Sequence, residues 1–351
     1  MSVFNGKKLR IEIYGESHAE KTGVSVRGLK GFKFDEQALA EFTARRKATD
    51  SVYSTSRKES DIPVFTGVKN GEINGEFAAE IFNENRISKD YSALYGKPRP
   101  SHADYAWHIK DGALDFSGGG RFSARLTAPF CVVGGILKQY LKTRGIEIES
   151  YVSSVGKAFG RSYKDGGLFT AEEIRTLRDN GFPSLDKKAE MLEEIKAAKS
   201  AGDSVGGTAE CVIFGLKGVG DNLFGGLEGK IASLVYAVPA VKGVEFGDGF
   251  DLAEMRGSKA NDGLYIENGE VKFYTNRAGG INGGIANGAP ITFRAAFRPT
   301  PSISIPQKTV DLTKNENTEI VINGRHDACV VPRALPVIES AAAIAIADEI
   351  L

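Results

Sequence analysis

Several common chemistries have no signature in this chain of 351 residues. It holds no Walker phosphate loop, no Gly-x-Gly-x-x-Gly placed after a strand, no Gly-x-Ser-x-Gly elbow and no metal-spaced set of His and Cys. The usual nucleotide, serine-hydrolase and zinc frameworks are therefore set aside, and no metal site is expected. Cysteine is scarce: Cys131, Cys211 and Cys329 are widely spaced, and two of them sit in apolar runs. That suits buried free thiols in a reducing compartment rather than disulfides. The N-terminal residues lack the apolar core of a signal peptide, and no run of about 18 apolar residues could span a bilayer. A soluble cytoplasmic protein that does not engage a membrane is the expectation. Charge of one sign is also lacking, because 45 basic residues balance 45 acidic ones. No overall field draws in nucleic acid, and any basic site must be local.

Glycine, by contrast, is abundant at 42 residues and falls in clusters between patterned segments. The most informative cluster is Gly118-Gly119-Gly120-Arg121-Phe122-Ser123-Ala124-Arg125, followed by residues 126 to 141, which are apolar on nearly every face. That pattern predicts a helix inside the protein, entered through a loop that lets backbone approach a ligand closely. The first amides of such a helix have no partner within it and can face an anion. Arg121 and Arg125 share a face if the helix has begun by Arg121. An ordinary glycine turn with two solvated arginines fits the same eight residues.

Along the chain, Leu9, Ile11 and Ile13 alternate with polar residues as a half-buried strand ending at Gly15-Glu16-Ser17-His18. His18 reads either as a loop histidine or as a catalytic group at a strand end. Asp35 caps a predicted helix that delivers Arg45, Arg46 and Lys47 at its C-terminal end. A polar loop carrying Arg57 follows. Strands are predicted at 62–68 and 77–82, with turns at Asn70-Gly71 and Asn74-Gly75. Two prolines then stiffen the segment that presents His102. His108 reads as structural. Residues 171–200 form a charged amphipathic region, and Thr208 to Gly215 a buried strand. Helical spacing through Leu223, Leu227, Ile231 and Leu234 precedes a strand from Val241 to Phe246. A further glycine cluster, residues 278–288, suits close ligand approach, and Arg298-Pro299-Thr300-Pro301-Ser302 makes a rigid polar turn. Gly324-Arg325-His326-Asp327 leads into an alanine-rich helix. Arginine-bearing loops, two well-presented histidines and an aspartate together describe a site for a polyanion with acid/base help.

These segments resemble the chorismate synthase family over essentially the whole length. The resemblance rests on Gly15-Glu16-Ser17-His18, Asp90-Tyr91-Ser92-Ala93, Arg99-Pro100-Ser101-His102-Ala103-Asp104-Tyr105 and the Gly118 to Arg125 stretch. Further on it rests on Val238-Pro239-Ala240-Val241, Ala278-Gly279-Gly280-Ile281-Asn282-Gly283, Arg298-Pro299-Thr300 and Gly324-Arg325-His326-Asp327. It implies one α+β domain over residues 1–351, with helices sandwiched between antiparallel β-sheets, assembled as a homotetramer. It also implies a lyase that eliminates phosphate from 5-enolpyruvylshikimate 3-phosphate to give chorismate. Reduced FMN is the implied cofactor, with NADPH or an external flavin reductase as the source of electrons.

By resemblance, His18 protonates the departing phosphate, His102 stabilises the reduced flavin, and Asp327, assisted by Ser17, handles the proton at the flavin. Arg121, Ser123, Ala240, Gly283, Arg298, Pro299, Thr300, Pro301, Ser302 and Arg325 match flavin-site positions. Arg45, Arg46, Arg57 and Arg125 match positions that gather around the substrate. The chain departs from the family pattern at Ala19, Ser101, Ala328, Gly220-Asp221-Asn222, Lys47-Ala48-Thr49 and Val52. Lysine does not reproduce a bidentate arginine, so the altered 47–52 loop motivates an alternative: a flavin-binding relative with lost or changed activity. A nicotinamide oxidoreductase is disfavoured by the missing dinucleotide fingerprint.

Overall fold

The alternation around Ile11 and Ile13 places the strand Arg10–Gly15 second in a five-stranded antiparallel sheet. Its order is Ser2–Asn5, Arg10–Gly15, Lys21–Arg27, Glu72–Phe82, Val64–Lys69. These elements belong to a computed structural model that describes residues 1–351 except 49–51, 54–59, 84–93, 117, 166–168 and 323–326. Arg57, Arg325, His326 and segment 90–93 thus lie outside the described residues. Asn70 and Gly71 form the expected hairpin turn, between the paired Lys69 and Glu72. Asn74 and Gly75 do not form a second one. They lie inside one long strand, where the pairing register with the neighbouring strand shifts between Thr66 and Val68.

A second antiparallel sheet runs Val241–Phe246, Ile291–Phe297, Gly207–Phe214, Glu147–Val155, Ala158–Phe159. Between the sheets lie two helices. Thr127–Lys142 packs on strands Lys21–Arg27 and Glu72–Phe82, while the C-terminal helix Val331–Ile350 packs on Glu147–Val155 and Gly207–Phe214. Both helices are buried on nearly every face, as their apolar composition requires. They approach closely at Gly134, where a Cβ would sit 2.0 Å from Ser340 Oγ. Its neighbour Gly135 meets Leu39 and Phe42 of the helix Glu36–Ala44, which Asp35 caps by accepting from the Gln37 and Ala38 amides. The helices are therefore sandwiched between antiparallel sheets.

One other expectation needs correcting. Leu223 is not on the internal helix, which spans Leu227–Tyr236; it lies in a separate 3₁₀ turn, Leu223–Gly225, and is exposed. The 278–288 glycine cluster builds a small sheet ordered Ile281–Asn282, Ile285–Asn287, Lys217–Gly220. Gly279, Gly280 and Gly284 lie against neighbouring backbone there, while the space beside Gly283 is open.

One carboxylate stitches the layers together. Glu339, fully buried in the C-terminal helix, accepts two bonds from Arg45 at 2.9 and 2.7 Å, one from Ser150 Oγ at 2.6 Å, and one from Lys138. Arg178 stands 3.6 Å away and pairs with Glu149 at 2.6 Å. Burial alone would raise the Glu339 carboxyl, but Arg45 and Lys138 reverse that and hold it well below the ordinary range. A depressed folded value contributes stability above the unfolded carboxyl value of about 4.3 and loses it as pH falls through the folded value. Glu339→Gln leaves Arg45 and Lys138 without their buried counter-charge. It should lower stability at pH 7 by about 3 kcal/mol or more. In denaturant titrations the gap to the unsubstituted protein should narrow below about pH 4; a gap independent of pH would show that the pairing contributes little.

Candidate active site

The Gly118 to Arg125 stretch enters the buried helix through two 3₁₀ turns, Gly120–Phe122 and Ala124–Leu126, so the helix proper starts only at Thr127. Arg121 and Arg125 are consequently not on one helical face. Arg121 stacks over Trp107 at 4.8 Å from the ring centroid and stays out of the cavity wall. Arg125 is buried, bonds Asn83 Oδ1 at 2.7 Å and pairs with Asp61. Ser123 accepts from the Arg125 amide at 3.2 Å.

Beside this loop opens a cavity of about 350 Å³. Its walls come from the end of the first helix (Arg46, Lys47), from Arg99 and His102, from Gly118 to Arg125, and from Pro239 and Ala240. Arg298, Thr300, Pro301, Ser302, Asp327 and Arg333 complete it. Among the described residues the lining carries six cations, Arg46, Lys47, Arg99, Arg125, Arg298 and Arg333, against two carboxylates, Asp61 and Asp327. Both carboxylates are engaged. Asp61 lies between Arg46, at 2.6 Å, and Arg125, while Arg333 Nη1 donates to Asp327 at 2.8 and 2.7 Å. Burial opposes the ionised form of Asp61, yet the two arginines bring it below the ordinary carboxylate value. Arg298 and Lys47 have no side-chain hydrogen bond or ion pair among the described residues. Burial lowers the Arg298 guanidinium, a cost that an anionic ligand relieves.

His102 is held by a buried cluster. Asp104 Oδ1 lies 2.5 Å from His102 Nδ1, and Arg99 donates to Asp104 from Nε at 2.7 Å and Nη2 at 2.8 Å. Arg99 also donates to the carbonyl oxygens of Phe116 and Gly118, which ties the histidine loop to the glycine loop. Burial would raise the Asp104 carboxyl, but the bonds from Arg99 and His102 outweigh it and bring it down to about 2. His18 reaches the same loop from the other side. Its ring packs on Gly118 so closely that a Cβ there would lie 2.0 Å from Cε1, and the backbone is left-handed at φ 58°, so only glycine suits the position. Ser17, buried, bonds His18 Nδ1 at 2.9 Å through Oγ, and its amide donates to Gly120 O at 3.2 Å.

The cavity thus gathers His102, Asp327, Ser123, Ala240, Arg298, Thr300, Pro301, Ser302, Arg46 and Arg125, with Ser17 and His18 against its glycine loop. It does not gather Arg45, whose guanidinium turns to Glu339. Pro299 packs against Gly206 behind the wall, and Gly283 sits in the small-sheet turn. Sequence reasoning assigned no task to Asp61, Arg99, Asp104 or Arg333. The first three are buried and charged, but burial is a tertiary property. A weak local signal existed for Asp104, two residues beyond His102 in a segment stiffened by proline. His108 is confirmed in a local structural bond, with Nδ1 2.9 Å from Ala113 O.

Comparison with known proteins gives a consistent result. Residues 9–351 match the family described as "Chorismate synthase". The chain is 41% identical over 351 residues to the chorismate synthase of Thermococcus kodakarensis, covering 99% of this chain and 97% of that protein. It is 38% identical over 356 residues to that of Dehalococcoides mccartyi, covering 99% and 96%. A solved structure described as "Crystal Structure of Chorismate Synthase" superposes with a TM-score of 0.77 at 26% identity, over 99% of this chain and 93% of that one.

Three of the eight non-glycine left-handed backbones among the described residues lie at the cavity or next to a residue that lines it. Asp61, Ser101 and Ala240 all have left-handed backbones, at φ 50°, 58° and 73°. A non-glycine residue there costs about 1–2 kcal/mol, and such strain gathers where a surrounding site holds it in place. Ser101→Gly removes the penalty but adds the roughly 0.5–1 kcal/mol entropic cost of glycine. The substitution should raise stability by up to about 1 kcal/mol in urea unfolding; a loss of stability would show that the serine side chain contributes more than its backbone costs.

Proposed function

The chain belongs to the chorismate synthase family, and we propose that the Arg-lined cavity beside Gly118 is where it carries out that family's reaction. The reaction is a 1,4-elimination of phosphate from 5-enolpyruvylshikimate 3-phosphate to give chorismate, the last step of the shikimate pathway, and the enzyme is a carbon–oxygen lyase. The observation that carries the assignment of the site is the excess of cations over carboxylates in a neutral protein, with Arg298 and Lys47 lacking partners among the described residues. A phosphate and two carboxylates on the substrate, and a second phosphate on FMN, match that excess.

The residues present fit reduced FMN. Arg298 lines the cavity as a partly buried cation in need of an anion, together with the hydroxyl residues Thr300, Ser302 and Ser123 and with Ala240, whose carbonyl accepts from the Arg298 amide at 3.0 Å. When bound, the reduced flavin supplies an electron-rich ring that assists the elimination without net redox change. The chain's own groups do the rest. Ser17 orients the His18 ring through Nδ1, and His18 is the group that would deliver a proton to the departing phosphate. His102 meets the cofactor from the cavity wall. Arg333 fixes both oxygens of Asp327, the carboxylate that, assisted by Ser17, would handle the proton at the flavin. Arg46, Arg125 and Lys47 line the substrate side, so a cation is retained where the family pattern changes. Arg57 and Arg325 keep the substrate and flavin roles that the resemblance implies.

A homotetramer in the cytoplasm, supplied with reduced flavin through NADPH or an external reductase, completes the reading. Exposed Leu223, Phe224 and Phe250 offer apolar surface for assembly. Among the described residues no helix is long and apolar enough to cross a membrane.

Under anaerobic conditions with chemically reduced FMN and 5-enolpyruvylshikimate 3-phosphate, chorismate and phosphate should appear in equal amounts. His102→Ala should lower the rate by about 100-fold or more. FMN binding without either product, where a known synthase turns over, would instead support a relative that has left the reaction. Arg298→Ala should weaken FMN binding by at least about tenfold while changing the unfolding free energy by less than about 0.5 kcal/mol. Unchanged FMN affinity in that variant would remove Arg298 from the flavin site.

A further inference from the structure

Whichever nitrogen of His102 carries its proton decides what the ring can offer a ligand, and the groups around Nδ1 are unusually constraining. Nδ1 faces Asp104 Oδ1 at 2.5 Å and Arg99 Nη2 at 3.2 Å. A guanidinium has donors only, so of these two neighbours the carboxylate alone can receive a proton from Nδ1. Asp104 cannot turn away to serve another partner. Its Oδ2 accepts from the Arg99 amide at 3.0 Å and from Nε at 2.7 Å, and its Oδ1 accepts from Nη2 at 2.8 Å. Arg99 is itself locked by the carbonyl oxygens of Phe116 and Gly118. The other charged groups on the cavity wall do not compete for Nδ1. Asp61 is held by Arg46 and Arg125, Asp327 is held by Arg333, and Lys47 and Arg298 can only donate.

We propose that Asp104 is a positioning residue that keeps a proton on His102 Nδ1 in both charge states of the ring, leaving Nε2 as the nitrogen that exchanges a proton with a bound ligand. Nε2 is then an acceptor when the ring is neutral and a donor when it is charged. Its consequence for turnover rests on the cavity being the synthase site; the location of the proton does not.

The test is ¹⁵N NMR of the full-length protein, with the His102 resonances assigned by their loss in His102→Gln, in the pH range where the ring is neutral. The unsubstituted protein should show the Nδ1–H tautomer. Asp104→Asn should invert it. Asparagine has a single acceptor oxygen, which the Arg99 amide and Nε claim, so its NH₂ turns toward His102 Nδ1 and drives the proton to Nε2. The kcat of that variant should fall at least tenfold, with the KM for 5-enolpyruvylshikimate 3-phosphate changed less than threefold. An Nε2–H tautomer in the unsubstituted protein overturns the proposal whether or not the variant folds, as does Nδ1–H persisting in Asp104→Asn. The expected tautomers in a protein that makes no chorismate would uphold the proton assignment and sink the functional reading instead.

Discussion

Glu339 is the group on which the layers depend. It sits without solvent exposure in the C-terminal helix, yet its partners come from the end of the first helix, from the helix that follows the glycine loop and from a central strand of the second sheet. A buried charge is tolerated only when it is paired and its oxygens are filled, and here that condition is met by side chains from different layers. Satisfying the carboxylate therefore fixes how those layers meet. The neighbouring contact of Gly134 with Ser340 sets how near the two central helices lie. Together, a polar clamp and a missing side chain determine a packing that apolar area alone would leave loosely specified.

The placement of Arg46 in the cavity follows from that clamp. Arg45 and Arg46 are consecutive at a helix end, so their side chains diverge; one meets Glu339 in the core, and the other reaches Asp61 and the cavity. The cavity is in turn lined by more guanidinium groups than it has carboxylates to neutralise, inside a molecule whose total charge is zero. Local electrostatic excess of this kind is costly without a ligand, and the left-handed backbones at Asp61 and Ala240 add to the cost. Stability given up at one place is the ordinary mark of a binding site.

The fold was legible in the sequence wherever one residue's environment is set by its near neighbours. The run after Leu126 is apolar on nearly every face, the mark of an internal helix; Asp35 caps because its own side chain reaches the next amides; Ile11 and Ile13 alternate because a strand has two faces. Much of the site was legible too, since the glycine loop and His102 advertise themselves by composition and rigidity. What could not be read depends on distant partners. Nothing near Arg45 announces Glu339, and nothing near Arg121 announces Trp107. The role of Arg333 becomes visible only once its helix is docked. Gly283 shows the same limit: its glycine cluster also builds a small sheet, and that pairing with Lys217–Gly220 has no local sequence signal.

The bond from Arg333 Nε to Arg46 O joins residues 287 positions apart, and both side chains wall the cavity. No partial assembly of the chain contains that wall. Closing a loop on this scale carries an entropic cost that the docked layers must offset, so the wall exists only in the assembled fold. A ligand that bridges the wall binds the finished molecule and not its precursors, and so draws the population toward it in proportion to its concentration over its dissociation constant. A ligand that fills the cavity therefore also adds to the stability of the fold that builds it.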